Sequence, residues 1–141
     1  METRKFLVLS AFLVLPALVG CGKTEPTAQQ TATGTASAAA QDPAAMASLE
    51  AKSVYKKKCL VCHGATGAGD GPGSAALDPK PRNFDEVAWQ DKVTDEHISK
   101  TIVGGGAAVG LSPIMPGNPE LKSKPEVVKE LVAIIRGFKG K

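Results

Sequence analysis

Apolar residues fall in blocks along this chain, and the blocks differ in period. Phe6 to Leu18 is an almost unbroken apolar run, interrupted by Ser10 and Pro16 and preceded by Arg4 and Lys5. Residues 22–45 are the opposite, rich in Ala, Thr, Gln and Ser with almost no large apolar side chain. Ala47, Ala51, Val54 and Tyr55 then share one helical face. Ile98, Ile102 and Val103 suggest a second, shorter helix. Val127, Leu131, Ile134, Ile135 and Phe138 follow spacings of four, three, one and three, the period of an amphipathic helix. No alternating strand pattern of useful length occurs, so the expected fold class is all-α.

Local signals place the boundaries. Asp42-Pro43 reads as an N-cap followed by proline in the first turn. Thr94 reads as the N-cap of the second helix, and Gly104-Gly105-Gly106 as its end. Ser123 with Glu126 has the spacing of a capping box and is expected to open the last helix. Five glycines between Gly64 and Gly73 mark a loop. Pro72, Pro79 and Pro81 keep the following stretch extended or turning.

The N-terminal run is shorter than the roughly 20 residues of a membrane-spanning helix, and its basic flank gives it the form of a secretory signal. Leu18-Val19-Gly20-Cys21 resembles a bacterial lipobox, which implies lipid on Cys21 and cleavage before it. The plainer reading is an ordinary signal with a cysteine near its cleavage site. The expected organisation is a signal over 1–20, a lipidated, flexible tether over 21–45 and one domain over 46–141. Such a tether cannot bury enough surface to offset its ordering entropy. The expected location is the membrane, facing the periplasm or the outer cell surface. Gly22 stands where an aspartate would favour inner-membrane retention in proteobacterial lipoproteins.

A domain of under 100 residues is marginal for an apolar core alone, and only 4% of the chain is aromatic. A bound apolar group would supply the missing mass. From Ala47 onward, 14 Lys and Arg stand against 11 Asp and Glu. Lys56-Lys57-Lys58 concentrates part of that excess, either as a steering patch for an acidic partner or as a solvated helix face. No basic patch interleaved with aromatics is present, which excludes nucleic acid.

The chemistry is carried by Cys59-Leu60-Val61-Cys62-His63. C-x-x-C-H is the attachment motif of haem c. Two thiols one short turn apart reach both vinyl groups as thioethers, and the adjacent histidine faces the iron. A thioredoxin-like reading needs a βαβ pattern, which is not visible. A zinc reading needs a fourth ligand beside Cys59, Cys62 and His63. Beyond them the chain has only Cys21 and His97. With Cys21 lipidated and two cysteines on haem, no thiol is left for a disulfide.

A haem iron held by His63 takes a second axial ligand or keeps an open position. Outside the signal, the methionines are Met46 and Met115. Met115 lies in Ser112-Pro113-Ile114-Met115-Pro116-Gly117, where flanking prolines stiffen the backbone, and it is the expected ligand. A methionine filling a core gap is the plain alternative. His97 is the rival ligand and is expected to face solvent.

Taken together, Cys59 to Gly64, Met115-Pro116 and the first and last helices resemble the class I, monohaem cytochromes c. Gly67 to Pro72, Leu77 and Pro79-Lys80-Pro81-Arg82-Asn83-Phe84 are similar to a bacterial subgroup. The resemblance implies a few helices around one haem c, the first and last crossing near Tyr55 and Leu131. The usual crossing glycine is absent and Ala51 stands as its replacement. It also implies a proline-loop carbonyl that accepts a hydrogen bond from the proximal histidine. Pro72 is the candidate, with Pro79 and Pro81 as alternatives. Arg82 and Trp89 are candidates for the haem propionates, or else a surface charge and a core residue.

His/Met ligation fills both axial positions, which implies a monomeric electron carrier between redox protein donors and acceptors and no substrate chemistry of its own. The alternatives are a fixed haem subunit of a larger complex, and a haem enzyme or gas sensor with an open distal site.

Overall fold

The computed structural model describes residues 42–141. The signal, the candidate lipid site Cys21 and the tether up to residue 41 lie outside the described residues. Helix α1 spans Pro43–Val54 and begins three residues inside the stretch assigned to the tether. The Asp42 side chain accepts from the Ala44 amide at 3.0 Å, so the expected cap is present. The helix runs through a π turn, Tyr55–Cys59, into a single α turn, α2, Leu60–His63.

After a long loop come α3, Val87–Lys92, and α4, Asp95–Gly104. The expected Thr94 cap is present, with its hydroxyl accepting from the His97 amide at 3.1 Å. Two 3₁₀ turns follow, Gly106–Val109 and Pro119–Ser123, before α5, Pro125–Arg136. Among the described residues there is no strand, and no helix is long and apolar enough to cross a membrane.

The core lies where α5 packs against both α1 and α4. Two neighbours demand a wide apolar face. Val128 and Val132 are buried beside the expected Val127, Leu131 and Ile135, while Ile134 and Phe138 are half-buried. On α1, Ala47, Ala51 and Tyr55 are buried, and Ala51 is 0% exposed. Ala51 belongs to the same buried cluster as Leu131 of α5, and a small side chain there permits close approach of the two helices.

The capping box is corrected. Helix α5 starts at Pro125 with Lys124 as its cap residue and no side-chain cap bond. Proline suits the first position because its missing N–H has no helical partner there. Ser123 ends the preceding 3₁₀ turn, and its hydroxyl donates back to the Glu120 carbonyl at 3.2 Å.

Helix α3 had no apolar periodicity to announce it. Tertiary polar contacts hold it. The Arg136 guanidinium donates to the Gln90 carbonyl at 2.6 Å, the Gln90 Oε1 at 2.9 Å and the Val93 carbonyl at 2.7 Å, and Nε donates to Asp95 at 2.8 Å. One side chain thus ties α3 and the start of α4 to α5.

Candidate functional site

The cysteines and histidine sit at the end of the α1–α2 rod: Cys59 closes the π turn, and Cys62 and His63 lie in α2. A π turn accommodates an extra residue and so rotates the side chains beyond it, a device common at functional sites. A helix end leaves its last carbonyls without partners. Here the glycine loop doubles back to supply them. Gly69, Gly71 and Gly73 donate to the carbonyls of His63, Cys62 and Val61 at 2.9, 3.1 and 2.7 Å. A Cβ on Gly71 would lie 2.5 Å from two of the helix carbonyl oxygens, so the approach requires glycine. The buried Tyr55 hydroxyl donates to the Gly64 carbonyl at 2.9 Å. Burial, then the neighbouring Cys59 and Asp70, push the Tyr55 phenol up to about 12.

His63 is buried, and its Nδ1 lies 3.1 Å from the Arg82 carbonyl. A carbonyl only accepts, so Nδ1 carries the proton and the neutral ring keeps its lone pair on Nε2. Burial lowers the pKa of His63, partly opposed by the bond to Arg82. Both features favour a neutral, oriented imidazole, the form that binds metal.

The acceptor differs from the expected one. Pro72 is exposed and outside the cavity described below. Pro79 and Pro81 line that cavity, but neither supplies the bond. A Cβ on Gly69 would meet the Pro81 oxygen at 2.5 Å, so that carbonyl is packed on the glycine loop. The next carbonyl, that of Arg82, is the one that meets His63.

Beside His63 lies a cavity that opens to solvent. Three segments wall it: Lys58 to His63, Leu77 to Arg82, and Leu111 to Asn118. Met115 lines it from the third segment and is half-buried. Leu111 and Ile114 line it too and stay 54% and 51% exposed, forming an apolar lip. Met46 is 52% exposed and outside the lining. His97 is half-buried and also outside it.

The Met115 loop is pinned to the end of α4. Gly106 donates to the Met115 carbonyl at 3.0 Å, and the Asn118 backbone and side-chain amides donate to Val103 and Ile102 at 2.9 and 2.8 Å. Gly105 has φ 78°, and a Cβ on it would lie 2.7 Å from the Gly117 nitrogen. The glycine triplet therefore ends a helix and also admits the methionine loop. Sequence patterning showed only the first role.

The Arg82 guanidinium bonds Glu86 at 3.1 Å and lies 5.7 Å above the Trp89 ring. Trp89 is half-buried against Phe84 and outside the cavity lining. Arg82 reaches the site through its backbone, while its side chain is an exposed charge. On the rim, Lys58 pairs with Glu120, and Lys80 donates to the Ser74 and Ala75 carbonyls at 3.0 and 2.7 Å. Lys56 and Lys57 are exposed.

The donor set fits a covalently held haem: two thiols, an imidazole oriented through Nδ1 and a thioether line one mostly apolar cavity. The rival readings fare worse. Burial pushes the Cys59 thiol up to about 11 against the opposing pull of Lys58, with Cys62 raising it further. A disulfide-exchange cysteine has the opposite shift. Among the described residues, no three His, Cys, Asp or Glu side chains converge as metal ligands.

Comparison with protein families agrees. The family model described as Cytochrome c matches residues 48–138, well over half of the chain. Among solved structures, the chain is similar to one titled "KustC0563 c-type cytochrome", at 36% identity over 62% of this chain and 94% of that one, with a TM-score of 0.46. A search of curated proteins gives no match.

Proposed function

The chain belongs to the cytochrome c family, and on that premise we propose that it is a membrane-tethered carrier of single electrons, with one haem c held by Cys59, Cys62, His63 and Met115. When bound, the haem supplies the ferric/ferrous couple, and a thioether ligand favours the ferrous state and raises the potential. The chain's own residues do the rest. Cys59 and Cys62 supply the thiols for attachment. His63 presents Nε2, with its proton held at Nδ1 by the Arg82 carbonyl. Met115 would offer its thioether sulfur to the iron from a loop that Gly106 and Asn118 restrain.

The carrying observation is that all four side chains line one cavity with a solvent-open mouth. The apolar lip of Leu111 and Ile114, with Lys56 and Lys57 on the same rod as the motif, suits brief docking to acidic redox partners. Cys21 carries the lipid and the Ala/Thr/Gln-rich stretch after it tethers the domain, with the preceding signal directing export.

A haem stain on a denaturing gel tests the attachment, run on wild type, each Cys→Ala variant and the double variant. Covalent stain in wild type that is absent from the double variant supports the proposal; unstained wild type overturns it. The mass of the mature N-terminus tests the anchor separately, with lipid on Cys21 expected and a bare cleaved terminus contradicting it.

A further inference from the structure

A hydrogen bond alone holds an imidazole ring loosely, because N–H···O geometry tolerates tens of degrees of misalignment. His63 has a second restraint. The Phe84 ring lies on it face to face, with centroids 4.4 Å apart and planes 13° from parallel. Phe84 is 6% exposed, and Trp89 and Phe138 flank it at 5.7 and 6.4 Å between centroids. Its backbone is fixed at both ends. The amide donates to the Gly67 carbonyl at 2.7 Å, and the carbonyl accepts from Gln90 Nε2 at 2.7 Å.

Gln90 is the polar centre of this arrangement. It is 4% exposed. The other hydrogen of the same Nε2 goes to the Ile135 carbonyl at 2.9 Å, and Oε1 accepts from Arg136 at 2.9 Å. Both amide hydrogens and the amide oxygen are thus used. A buried amide so fully satisfied is rigid, because any rotation would break a bond with no water to replace it. Leucine at the Phe84 position would keep the apolar contact and lose the flat face.

We propose that Phe84 and Gln90 are positioning residues for the proximal ligand. Phe84 fixes the plane of the His63 ring, and Gln90, on α3, ties Phe84 to the last helix. The inference rests on His63 being an axial ligand. It links α5 to the ligand plane through a continuous chain of contacts, Ile135 and Arg136 to Gln90 and Gln90 to Phe84.

The test uses the haem-loaded full chain in the oxidised state. Low-spin electron paramagnetic resonance g values and the spread of the haem methyl NMR shifts both report axial ligand orientation. Phe84→Leu is expected to change the methyl spread and broaden the largest g value while the haem stays low-spin. Gln90→Met is expected to do the same more weakly, and it carries the test if Phe84→Leu does not fold. Ile98→Val loses core packing on α4, which carries neither Phe84 nor Gln90, and is expected to lower stability with both signals unmoved. Unchanged signals in both clamp variants, with only stability lowered, would make Phe84 and Gln90 ordinary core residues and overturn the proposal. A wild-type spectrum without bound histidine would overturn the ligand assignment itself, which is a separate and recognisable failure.

Discussion

The Gly106 amide donates to the Met115 carbonyl at 3.0 Å, across a contact where backbone lies directly on backbone. A Cβ on Gly106 would fall 2.0 Å from the Ser112 carbonyl oxygen. That contact joins the 3₁₀ turn after α4 to the loop that carries Met115.

Gly106→Ala must therefore push the methionine loop outward. Overpacking of this kind costs about 1–3 kcal/mol. Urea denaturation is expected to show that loss, and the ferrous protein is expected to gain affinity for carbon monoxide as Met115 lets go. Gly110→Ala makes the comparison. Its Cβ meets nothing within 4 Å, but φ is 75°, so only the left-handed penalty of about 1–2 kcal/mol applies. Carbon monoxide binding should stay at the wild-type level.

At the helix crossing, alanine is expected to be the optimum. Ala51→Leu forces side-chain volume into a site with no exposure and costs about 1–3 kcal/mol. Ala51→Gly costs about 1 kcal/mol through helix propensity. Both values come from denaturation midpoints, and a stabilising Ala51→Leu would show that α1 and α5 are not in close contact there.

Tyr55 links stability to alkaline pH. Its folded pKa is raised to about 12, chiefly by burial, while an unfolded tyrosine titrates near 10. The folded state therefore favours the neutral phenol. That contribution is fully present below about pH 10 and is lost as pH rises toward 12. Tyr55→Phe is expected to lose about 1 kcal/mol at neutral pH with the bond to Gly64. It should also unfold less steeply between pH 10 and 12 than wild type, and equal slopes would contradict the assignment.

Arg136→Met removes the donor that holds two carbonyls and the Gln90 amide oxygen. The expected loss is about 2–3 kcal/mol, because bonds from a charged donor are the stronger kind. Hydrogen exchange should quicken in α3 before it does in α1, since α3 has little apolar packing of its own. Uniform quickening across all helices would contradict this division.

Sequence patterning revealed those features whose causes are local. Asp42 and Thr94 cap helices because a short oxygen-bearing side chain reaches its own first turn. The spacing from Val127 to Phe138 marks α5, and the pentapeptide at Cys59 carries its chemistry in five consecutive residues. Features that depend on distant partners were hidden. Gln90 and Arg136 lie 46 positions apart, and neither stands out alone. The Arg82 carbonyl could not be told from those of the nearby prolines, because any residue offers the same backbone oxygen. Ser123 and Glu126 had the spacing of a capping box, yet Pro125 between them fixed the helix start one turn position later. The second role of Gly104 to Gly106 became visible only once the Met115 loop lay against it.

The central claim is a closed His63/Met115 iron site, and optical spectra of the haem-loaded protein in both oxidation states test it most directly, with wild type beside Met115→Ala. The expected result is a low-spin wild type with a red methionine-to-iron charge-transfer band that vanishes in the variant. A high-spin wild type, or a band indifferent to the substitution, would contradict the claim and leave the distal position open to a gas or a substrate.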